Sequence, residues 1–515
     1  MKYKVFLLHS FLFPLYFVLF FWSKNLSISF LEVWPPLIFF FSFAIGAVLV
    51  LGFILRNFKK AGLIVSLFFI LFFSYGHTRS ILGNLKLFGI EVGRHTYLMI
   101  IWVFILVIVS IVIIMLRNEK VVNGLTTCLN LMGLLLMVFV LFPILIFQIK
   151  NLTFKKENII MEKAVTDNTV KLLSQQMKNN SLPDIYYIIL DSYMNSDILK
   201  SELDFDNSEF CEWLQKKGFF VSSSSRSNYV WTYLSLPSSL NFRYLDNIKD
   251  KNKEGELLYN NKVAEILKKR GYKVISISTS GIAINDDLRF QYGPAKDFLP
   301  SLIENTWIYP FTFFGLFNSI LYEYQRKCIL YGFEKLNEIP NIKEPTFTFA
   351  HINNPHPPYI FNKEGKPLNF NLFNLSNFRA LKNNKKRGEL WHKIECTLYI
   401  GQVIFLNKKV EFLINKILSS SPDSIIIIQG DHGQFLGLPD IPSKKIFKLR
   451  TSIFNAYYLP NLKSNPLYHG ISPVNSFRIV FNSYFGENYE LLPDISYWSS
   501  GKIWDFIVVE KEEQN

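Results

Sequence analysis

Thr232 is a candidate hydroxyl nucleophile. It lies in the stretch 226–241, in which a hydroxyl residue precedes an apolar run typical of a helix. A threonine hydroxyl attacks well only when its proton is removed, and coordination to a divalent cation achieves this at neutral pH. The rest of the chain should then supply acidic and imidazole ligands.

Two further segments offer such ligands, each at the end of a short apolar run. Asp191 follows the run 185–190, and Asp431 with His432 follows the run 425–428. Short apolar runs bounded by polar residues are typical of buried parallel strands. Open α/β sheets gather their binding residues at the carboxyl ends of such strands. The three segments are therefore predicted to converge on one metal ion.

The Asp-His pair is flanked by Gly430 and Gly433. Glycine lets the backbone bend sharply or approach a ligand closely, and a carboxylate beside an imidazole suits zinc or manganese. Each residue also has a structural alternative. The pair could form a turn with a capping aspartate, Asp191 could cap the turn after its strand, and Thr232 could simply begin a helix. The order of these residues along the chain favours the metal site.

The segments around these motifs alternate between helix and strand patterns. Residues 207–217 are amphipathic and stop at Gly218, and residues 261–270 stop at Gly271, in each case before a run typical of a strand. Further predicted elements are a strand at 346–350, a helix at 390–418, a strand at 453–459 and a helix at 474–484. This alternation predicts an α/β domain with a central, mainly parallel sheet.

The first 150 residues are nearly all apolar and predict a membrane domain. Runs of about 17–25 apolar residues can cross a bilayer. We identify five, of which the third is the shortest, at 5–22, 34–55, 61–75, 97–116 and 125–147. The predicted division of the chain is a five-helix transmembrane domain at 1–150, a juxtamembrane linker at 151–181 and an α/β catalytic domain at 182–505.

Basic residues in the short loops predict the orientation of these helices, because cytoplasmic loops carry an excess of lysine and arginine. With the N-terminus inside, the cytoplasmic residues would be Lys2, Lys4, Arg56, Lys59, Lys60, Arg117 and Lys120, and the outer ones Lys24, Arg79, Lys86 and Arg94. Five crossings then deliver everything after Ile149 to the other side. The catalytic domain is therefore expected on the extracytoplasmic side of the membrane.

The formal net charge of +14 suits an anionic membrane surface or anionic substrates. No segment resembles a nucleic-acid module, so nucleic acid is not an expected partner. A compositional bias toward lysine explains part of the charge equally well. The four cysteines are too few for a disulfide framework, and their spacing is not that of zinc ligands.

Residues 281–340 interrupt the alternation, and the segment 307–317 within them is strongly aromatic. Two interpretations are open. The segment could lie on the bilayer near the anchor and admit a lipid substrate, or it could be an aromatic insertion packed on the core. The second interpretation is favoured.

Three motifs together resemble the alkaline phosphatase and sulfatase superfamily, in particular its five-span membrane branch of phosphoethanolamine transferases and lipoteichoic acid synthases. Thr232, Ser235 and Pro237 match the Thr-x-x-Ser-x-Pro nucleophile segment of the transferases. The segment 430–433 is similar to their Ser-Asp-His-Gly metal motif. The segment 351–359 resembles their His-x-x-x-x-His-x-Pro-x-Tyr segment, with a shifted neighbour of the proline.

The resemblance implies a set of site residues. One metal would be bound by Asp191, Thr232, Asp431 and His432. Phosphate or a second ion would be contacted by His351 and His356. His469 falls where members of the superfamily often have a late metal histidine. This chain departs from the transferase pattern in three ways, which are Asp191 in place of the usual glutamate, Gln434 in place of a frequent acid, and few cysteines.

The resulting hypothesis is a membrane-anchored, metal-dependent phosphotransferase. It would move a phospho-substituent of the phosphoethanolamine or glycerol phosphate type from a membrane phospholipid donor to an envelope glycan or lipid acceptor, through a phospho-threonine intermediate. The cofactor would be a divalent metal, zinc or manganese. The alternatives are a sulfatase or phosphodiesterase of the same fold and a non-catalytic envelope scaffold. A sulfatase is disfavoured because the segment 235–239 lacks the arginine of the sulfatase motif.

Overall fold

The computed structural model describes most of the chain. The described residues are 6–24, 30–82, 86–87, 90–91, 93, 95–165, 182–245, 254–292, 302–303, 305–308, 318–368, 385–438, 442–462, 464–499 and 506–509. The predicted linker at 151–181 falls largely outside them, since only its first part continues a helix that ends at Val165. Contacts divide the chain into two units, one at 1–179 with 293–316 and the other at 180–292 with 317–515.

The first unit is built from five apolar helices, as the sequence predicts. They are α1 (His9–Lys24), α2 (Phe30–Leu55), α3 (Phe58–Leu82), α4 (His95–Met115) and α5 (Glu119–Val165). Four of them contain segments long and apolar enough to cross a membrane, and the apolar part of α1, His9–Ser23, is shorter. The third helix is longer than the predicted 61–75, because the polar residues around His77 and Arg79 extend it by two turns.

Phenylalanines hold the helices of the first unit together. Phe17 of α1 stacks on Phe73 of α3 with ring centroids 4.9 Å apart, and Phe40 of α2 packs edge-on to Phe73 at 5.0 Å. Part of the aromatic segment at 307–317 joins this core. The Trp307 amide donates to the Phe72 carbonyl at 3.0 Å, and its ring packs near Phe68. Trp307 and Ile308 thus pack on the apolar helices of the first unit, and residues 309–317 lie outside the described part.

The second unit is an α/β domain around a seven-stranded sheet. Its strands are β1 (Ile185–Leu190), β2 (Phe220–Val221), β3 (Lys273–Ser278), β4 (Leu288–Gln291), β5 (Thr346–Ile352), β6 (Ile425–Gln429) and β7 (Asn455–Tyr458). The order across the sheet is β2-β7-β6-β1-β5-β3-β4. All pairings are parallel except β2 with β7 and β6 with β7. The predicted mainly parallel sheet is confirmed.

Helices cover the sheet on both faces. They are α6 (Ser196–Leu203), α7 (Ser208–Lys216), α8 (Thr232–Leu240), α9 (Glu254–Tyr259), α10 (Lys262–Lys269), α11 (Asn318–Glu338), α12 (Lys385–Ser420), α13 (Lys444–Thr451) and α14 (Pro473–Phe485). The long helix predicted at 390–418 is α12. The break predicted at 281–340 is wrong in part, because β4 and α11 lie within it. Two further antiparallel pairs of short strands are Lys86–Leu87 with Ile90–Glu91 and Ser496–Trp498 with Ile507–Val509.

The central strand β1 shows why the sheet is buried on both faces. Tyr186, Ile188 and Leu190 belong to the apolar cluster on one face, and the alternate residues Ile185 and Ile189 belong to the cluster on the other. Side chains along a strand alternate in this way, so a continuous apolar run covers both layers at once. Because β5 and β6 are parallel neighbours of β1, the carboxyl ends of all three meet at one edge of the sheet.

Candidate metal centre and active site

Three acidic and imidazole side chains meet at that edge. Asp191 follows β1, and Asp431 and His432 follow β6. One ligand atom from each lies within 4.8 Å of the others, and all three residues are buried. The sequence predicted that these residues follow two strands. Because the two strands are parallel neighbours in the sheet, the residues at their carboxyl ends lie close together.

One oxygen of the Asp431 carboxylate accepts hydrogen bonds from the protein, and the other is available to a ligand. Its Oδ1 accepts hydrogen bonds from the backbone amides of Ser192 at 3.0 Å and His432 at 2.9 Å. Its Oδ2 is buried, has no hydrogen-bond partner among the described residues, and lies 3.5 Å from Nε2 of His432. Leaving a buried carboxylate oxygen unsatisfied is costly, so this oxygen suits a cation.

The imidazole of His432 is held as a neutral ligand. Burial, and then the positive charge of Arg450, lower the pKa of His432 well below its ordinary value. Nδ1 lies 2.9 Å from the Gly433 carbonyl and 3.1 Å from the Ser192 hydroxyl, two groups that can accept its proton. With the proton on Nδ1, the lone pair of Nε2 is available to a metal ion.

Thr232 completes the cluster. It is the first residue of α8, as the sequence predicts, because Trp231 before it has an extended backbone and the amides of Leu234 and Ser235 donate to the Trp231 carbonyl. The Thr232 Oγ1 lies 3.0 Å from Nε2 of His432. The candidate nucleophile therefore faces the same atom that would bind the metal.

The two glycines of the Gly-Asp-His-Gly turn are required by close packing. A Cβ on Gly430 would lie 2.4 Å from the Tyr193 carbonyl oxygen, and a Cβ on Gly433 would lie 1.8 Å from the Leu449 carbonyl oxygen. Both neighbours are backbone atoms, which cannot move aside as a flexible side chain can. The turn thus presents Asp431 and His432 only because both flanking residues lack a side chain.

The donor set fits a tetrahedral zinc or a comparable divalent cation. Ligands about 2.0–2.2 Å from such an ion are separated from one another by roughly 3.3–3.6 Å. Measured from Nε2 of His432, the distances are 3.0 Å to Thr232 Oγ1, 3.5 Å to Asp431 Oδ2 and 3.9 Å to Asp191 Oδ1. The Asp431 separation falls within this range, whereas the Thr232 separation is slightly shorter and the Asp191 separation slightly longer. The imidazole nitrogen and the unsatisfied carboxylate oxygen are donors that suit such an ion.

The remaining predicted histidines occupy three different environments. His351 is buried in β5, with Nε2 3.6 Å from Asp191 Oδ2 and Nδ1 2.8 Å from the Ser280 hydroxyl. His356 donates its amide to the Asp191 carbonyl at 3.0 Å, and its ring centroid lies 6.4 Å from that of His432. His469 is exposed, packs on Phe220 and accepts a hydrogen bond from the Ser223 amide at 3.3 Å, and it is not among the clustered ligands.

Sequence reasoning missed two residues of the site, Arg450 and Ser192. Arg450 is buried at the end of α13 and bonds the carbonyls of Gly433 and Val230, with its guanidinium 3.1 Å from Nδ1 of His432. Its helix carries four basic residues, a pattern typical of a solvent-exposed helix, so the sequence does not indicate that Arg450 is buried at the site. Ser192 follows Asp191 directly, and its position next to a predicted ligand was the only available signal.

A cavity of about 640 Å³ opens beside Thr232 and His432. Aromatic rings form much of its wall, and Glu395 and Gln434 contribute polar groups. The lining residues are Trp231, Thr232, Tyr233, Tyr322, His356, Pro357, Pro358, Tyr359, Trp391, Glu395, His432, Gln434, Phe435 and Arg450. This volume lies within the range of small-molecule sites. His356 thus lines the cavity, whereas His351 does not line it and lies against Asp191.

Fold and site together define a chain with an apolar helical anchor and an α/β domain that holds a carboxylate-imidazole cluster beside a threonine. No family model matches the sequence, and no curated protein matches it. Solved structures that resemble it include phosphoethanolamine transferases. Each likeness is low in identity, so the chemistry proposed below rests on the geometry of this chain.

Three of these structures show the extent of the likeness. The integral membrane lipooligosaccharide phosphoethanolamine transferase A of Neisseria meningitidis is 14% identical with a TM-score of 0.36, over 92% of this chain and 93% of that one. The periplasmic domain of EptC from Escherichia coli, in complex with zinc, is 12% identical with a TM-score of 0.42, over 64% and 93%. The periplasmic domain of the phosphoethanolamine transferase EptC from Campylobacter jejuni is 14% identical with a TM-score of 0.37, over 61% and 92%.

Proposed function

We propose that this protein is a membrane-anchored, metal-dependent phosphotransferase that forms a covalent intermediate on Thr232. The observation that carries the proposal is the 3.0 Å contact between Thr232 Oγ1 and Nε2 of His432, within a buried cluster that also holds Asp191 and Asp431. A hydroxyl in this position lies next to the imidazole nitrogen that would bind the cation, so the hydroxyl can reach the same ion. That arrangement favours nucleophilic catalysis over a structural turn.

The cation would be held by Asp191, Thr232, Asp431 and His432. When bound, it supplies positive charge that lowers the pKa of a coordinated hydroxyl and offsets charge on phosphoryl oxygens. Zinc fits this mixture of nitrogen and oxygen donors, and manganese is the alternative. We assign no ligand role to His469, because its side chain bonds the Ser223 amide instead.

The residues of this chain would divide the remaining tasks. Thr232 Oγ1 would attack the phosphorus of the donor while the bond from that phosphorus to the lipid oxygen breaks, so that the lipid leaves as its alcohol. An acceptor hydroxyl would then displace the Thr232 oxygen from the phosphorus. The N-terminal end of α8 would favour the phosphate beside it. His356 lines the cavity and would exchange a proton with the leaving and entering oxygens. His351 lies 3.6 Å from Asp191 and is buried, so it would orient that carboxylate rather than touch the substrate.

The transferred group would be a phospho-substituent of the phosphoethanolamine or glycerol phosphate type. Apolar helices that can cross a membrane place the chain where phospholipid donors are found, which supports a lipid donor. The acceptor would be an envelope glycan or lipid, and the expected location is the bacterial inner membrane with the α/β domain outside the cytoplasm. The aromatic wall of the cavity suits the apolar faces of such a substrate.

The test is an assay of the purified full-length protein with phospholipid labelled in its headgroup phosphate. Transfer of label to an added envelope glycan supports the proposal. Release of label to water alone, with the glycan present, would instead make the protein a hydrolase of the same fold. No reaction with a metal-loaded protein would favour a non-catalytic scaffold. A Thr232→Ala variant is the control for contaminating activity.

A further inference from the structure

Ser192 contacts Asp191, Asp431 and His432, the three acidic and imidazole residues of the buried cluster. Its backbone amide donates to Asp431 Oδ1 at 3.0 Å. Its hydroxyl donates to Asp191 Oδ1 at 3.1 Å and lies 3.1 Å from Nδ1 of His432. The residue is fully buried, so water does not compete for these contacts.

The directions of these hydrogen bonds are consistent with one another. The Gly433 carbonyl, which can only accept, lies 2.9 Å from Nδ1 of His432 and favours the tautomer with the proton on Nδ1. In that tautomer Nδ1 is a donor. The Ser192 oxygen can accept that proton while its own hydrogen is donated to Asp191, because a hydroxyl has one donor and two acceptor positions. A chain of hydrogen bonds therefore runs from the imidazole through Ser192 to the carboxylate, and it leaves Nε2 of His432 directed at Thr232.

The backbone of Ser192 is unusual for a residue with a side chain. Its φ is +67°, in the left-handed region that glycine occupies most readily. The surrounding structure holds the peptide there. The Tyr399 hydroxyl on α12 donates to the Ser192 carbonyl at 2.9 Å and accepts from the Met194 amide at 3.0 Å. A left-handed residue held in this way at a candidate site is a typical sign of a functional constraint.

We propose that Ser192 is a positioning residue for the metal centre. Its hydroxyl fixes the His432 ring and the Asp191 carboxylate relative to each other, and its amide fixes Asp431, so that all three ligand atoms converge before an ion binds. This inference rests on the proposed metal-dependent function. Residues that orient metal ligands in this way change metal affinity by about 10–100-fold when they are replaced.

The informative variant is Ser192→Gly, because glycine loses the hydroxymethyl side chain and adopts the positive φ without strain. Ser192→Ala is its companion, since it loses the hydroxyl alone and keeps a Cβ in the left-handed region, as serine does. Ser238→Ala is the matched control. Ser238 is also a buried serine, and its hydroxyl donates to the Arg243 carbonyl at 2.7 Å, which is a bond outside the cluster.

The experiment measures zinc affinity by competition with a chromogenic chelator, on full-length protein in detergent. Cobalt absorption in the visible region then reports the geometry of the ligands. We expect Ser192→Gly to bind zinc about 10–100-fold more weakly and to show an altered cobalt spectrum. The thermal midpoint of the metal-free variant should stay close to that of the metal-free wild type, and Ser238→Ala should match the wild type in affinity and spectrum.

Three results would overturn the inference, and they can be told apart. If Ser192→Gly binds zinc as tightly as the wild type with an unchanged cobalt spectrum, Ser192 does not position the ligands, although the metal centre stands. If the wild type binds neither cation, the metal centre of the proposed function fails, and the role of Ser192 fails with it. A loss of affinity in Ser192→Gly that is accompanied by unfolding of the metal-free variant would mean a structural role only.

Discussion

The hydroxyl of Ser235 donates a hydrogen bond to the backbone carbonyl of Asp431, with 2.6 Å between the oxygens. Ser235 is 1% exposed and does not line the cavity. Thr232, one helical turn earlier, instead places its hydroxyl against Nε2 of His432. The two hydroxyls of the Thr-x-x-Ser segment therefore have different tasks. Ser235 links α8 to the Gly-Asp-His-Gly turn by a hydrogen bond, and Thr232 directs its hydroxyl at the candidate metal ligand His432.

Asp431→Asn should lose bound zinc. The change removes the charge of the carboxylate whose Oδ2 points at the cluster, while the two backbone amides can still donate to the remaining oxygen. We expect zinc affinity to fall by about 100-fold or more, measured as metal content after dialysis. Asp423→Asn, on the exposed loop before β6, is the control. Full metal occupancy in Asp431→Asn would mean that the turn is structural.

Arg450 should lower the pH at which the protein releases its metal ion. The pKa of His432 is lowered first by burial and then by the Arg450 charge. A lowered pKa means that protons displace the metal only at more acidic pH, so Arg450→Met should raise the pKa and move zinc release to higher pH. Arg450→Lys keeps the charge and should remain closer to the wild type. Equal release midpoints in a pH titration of all three proteins would contradict this role.

Gly433→Ala should destabilise the α/β domain. The added Cβ would collide with the Leu449 carbonyl oxygen, which is backbone. We expect a loss of about 3 kcal/mol, seen as a lower thermal midpoint of the metal-free protein. Gly470→Ala offers the comparison, since a Cβ there has no neighbour within 4 Å among the described residues. Equal midpoints for the two variants would show that the turn can move aside.

Much of this architecture was predictable from sequence because it follows local patterns. Apolar runs at 185–190 and 425–428 predicted strands whose ends carry Asp191 and Asp431, and the structure confirms those strands. The five apolar helices were equally visible. Thr232 was predicted at a helix start, and α8 begins there.

The rest was hidden because it depends on contacts between distant segments. Arg450 reaches His432 only through the packing of α13 on the turn, and nothing in its basic helix marks it as buried. The φ of Ser192 likewise follows from its neighbours in space. The placement of His351 behind Asp191, and not at the cavity, depends on how far β5 extends, and its two extra residues were not visible in the sequence.

The orientation of the anchor can be tested directly. A reporter enzyme that is active only outside the cytoplasm, fused after Ile149 in α5, should be active, because five crossings from an inside N-terminus end there. The same fusion after Arg117, between α4 and α5, is the control and should be inactive. The opposite pattern would place the α/β domain in the cytoplasm and remove envelope glycans as acceptors.

The most direct test of the proposed function is the position of the covalent intermediate. Full-length, metal-loaded protein is incubated with headgroup-labelled phospholipid without an acceptor, denatured in acid and mapped by peptide mass spectrometry. Label on Thr232, lost in Thr232→Ala and kept in Ser235→Ala, is the result we expect. A modified Ser235 with an unmodified Thr232 would contradict the account and return the serine-based, sulfatase-like alternative.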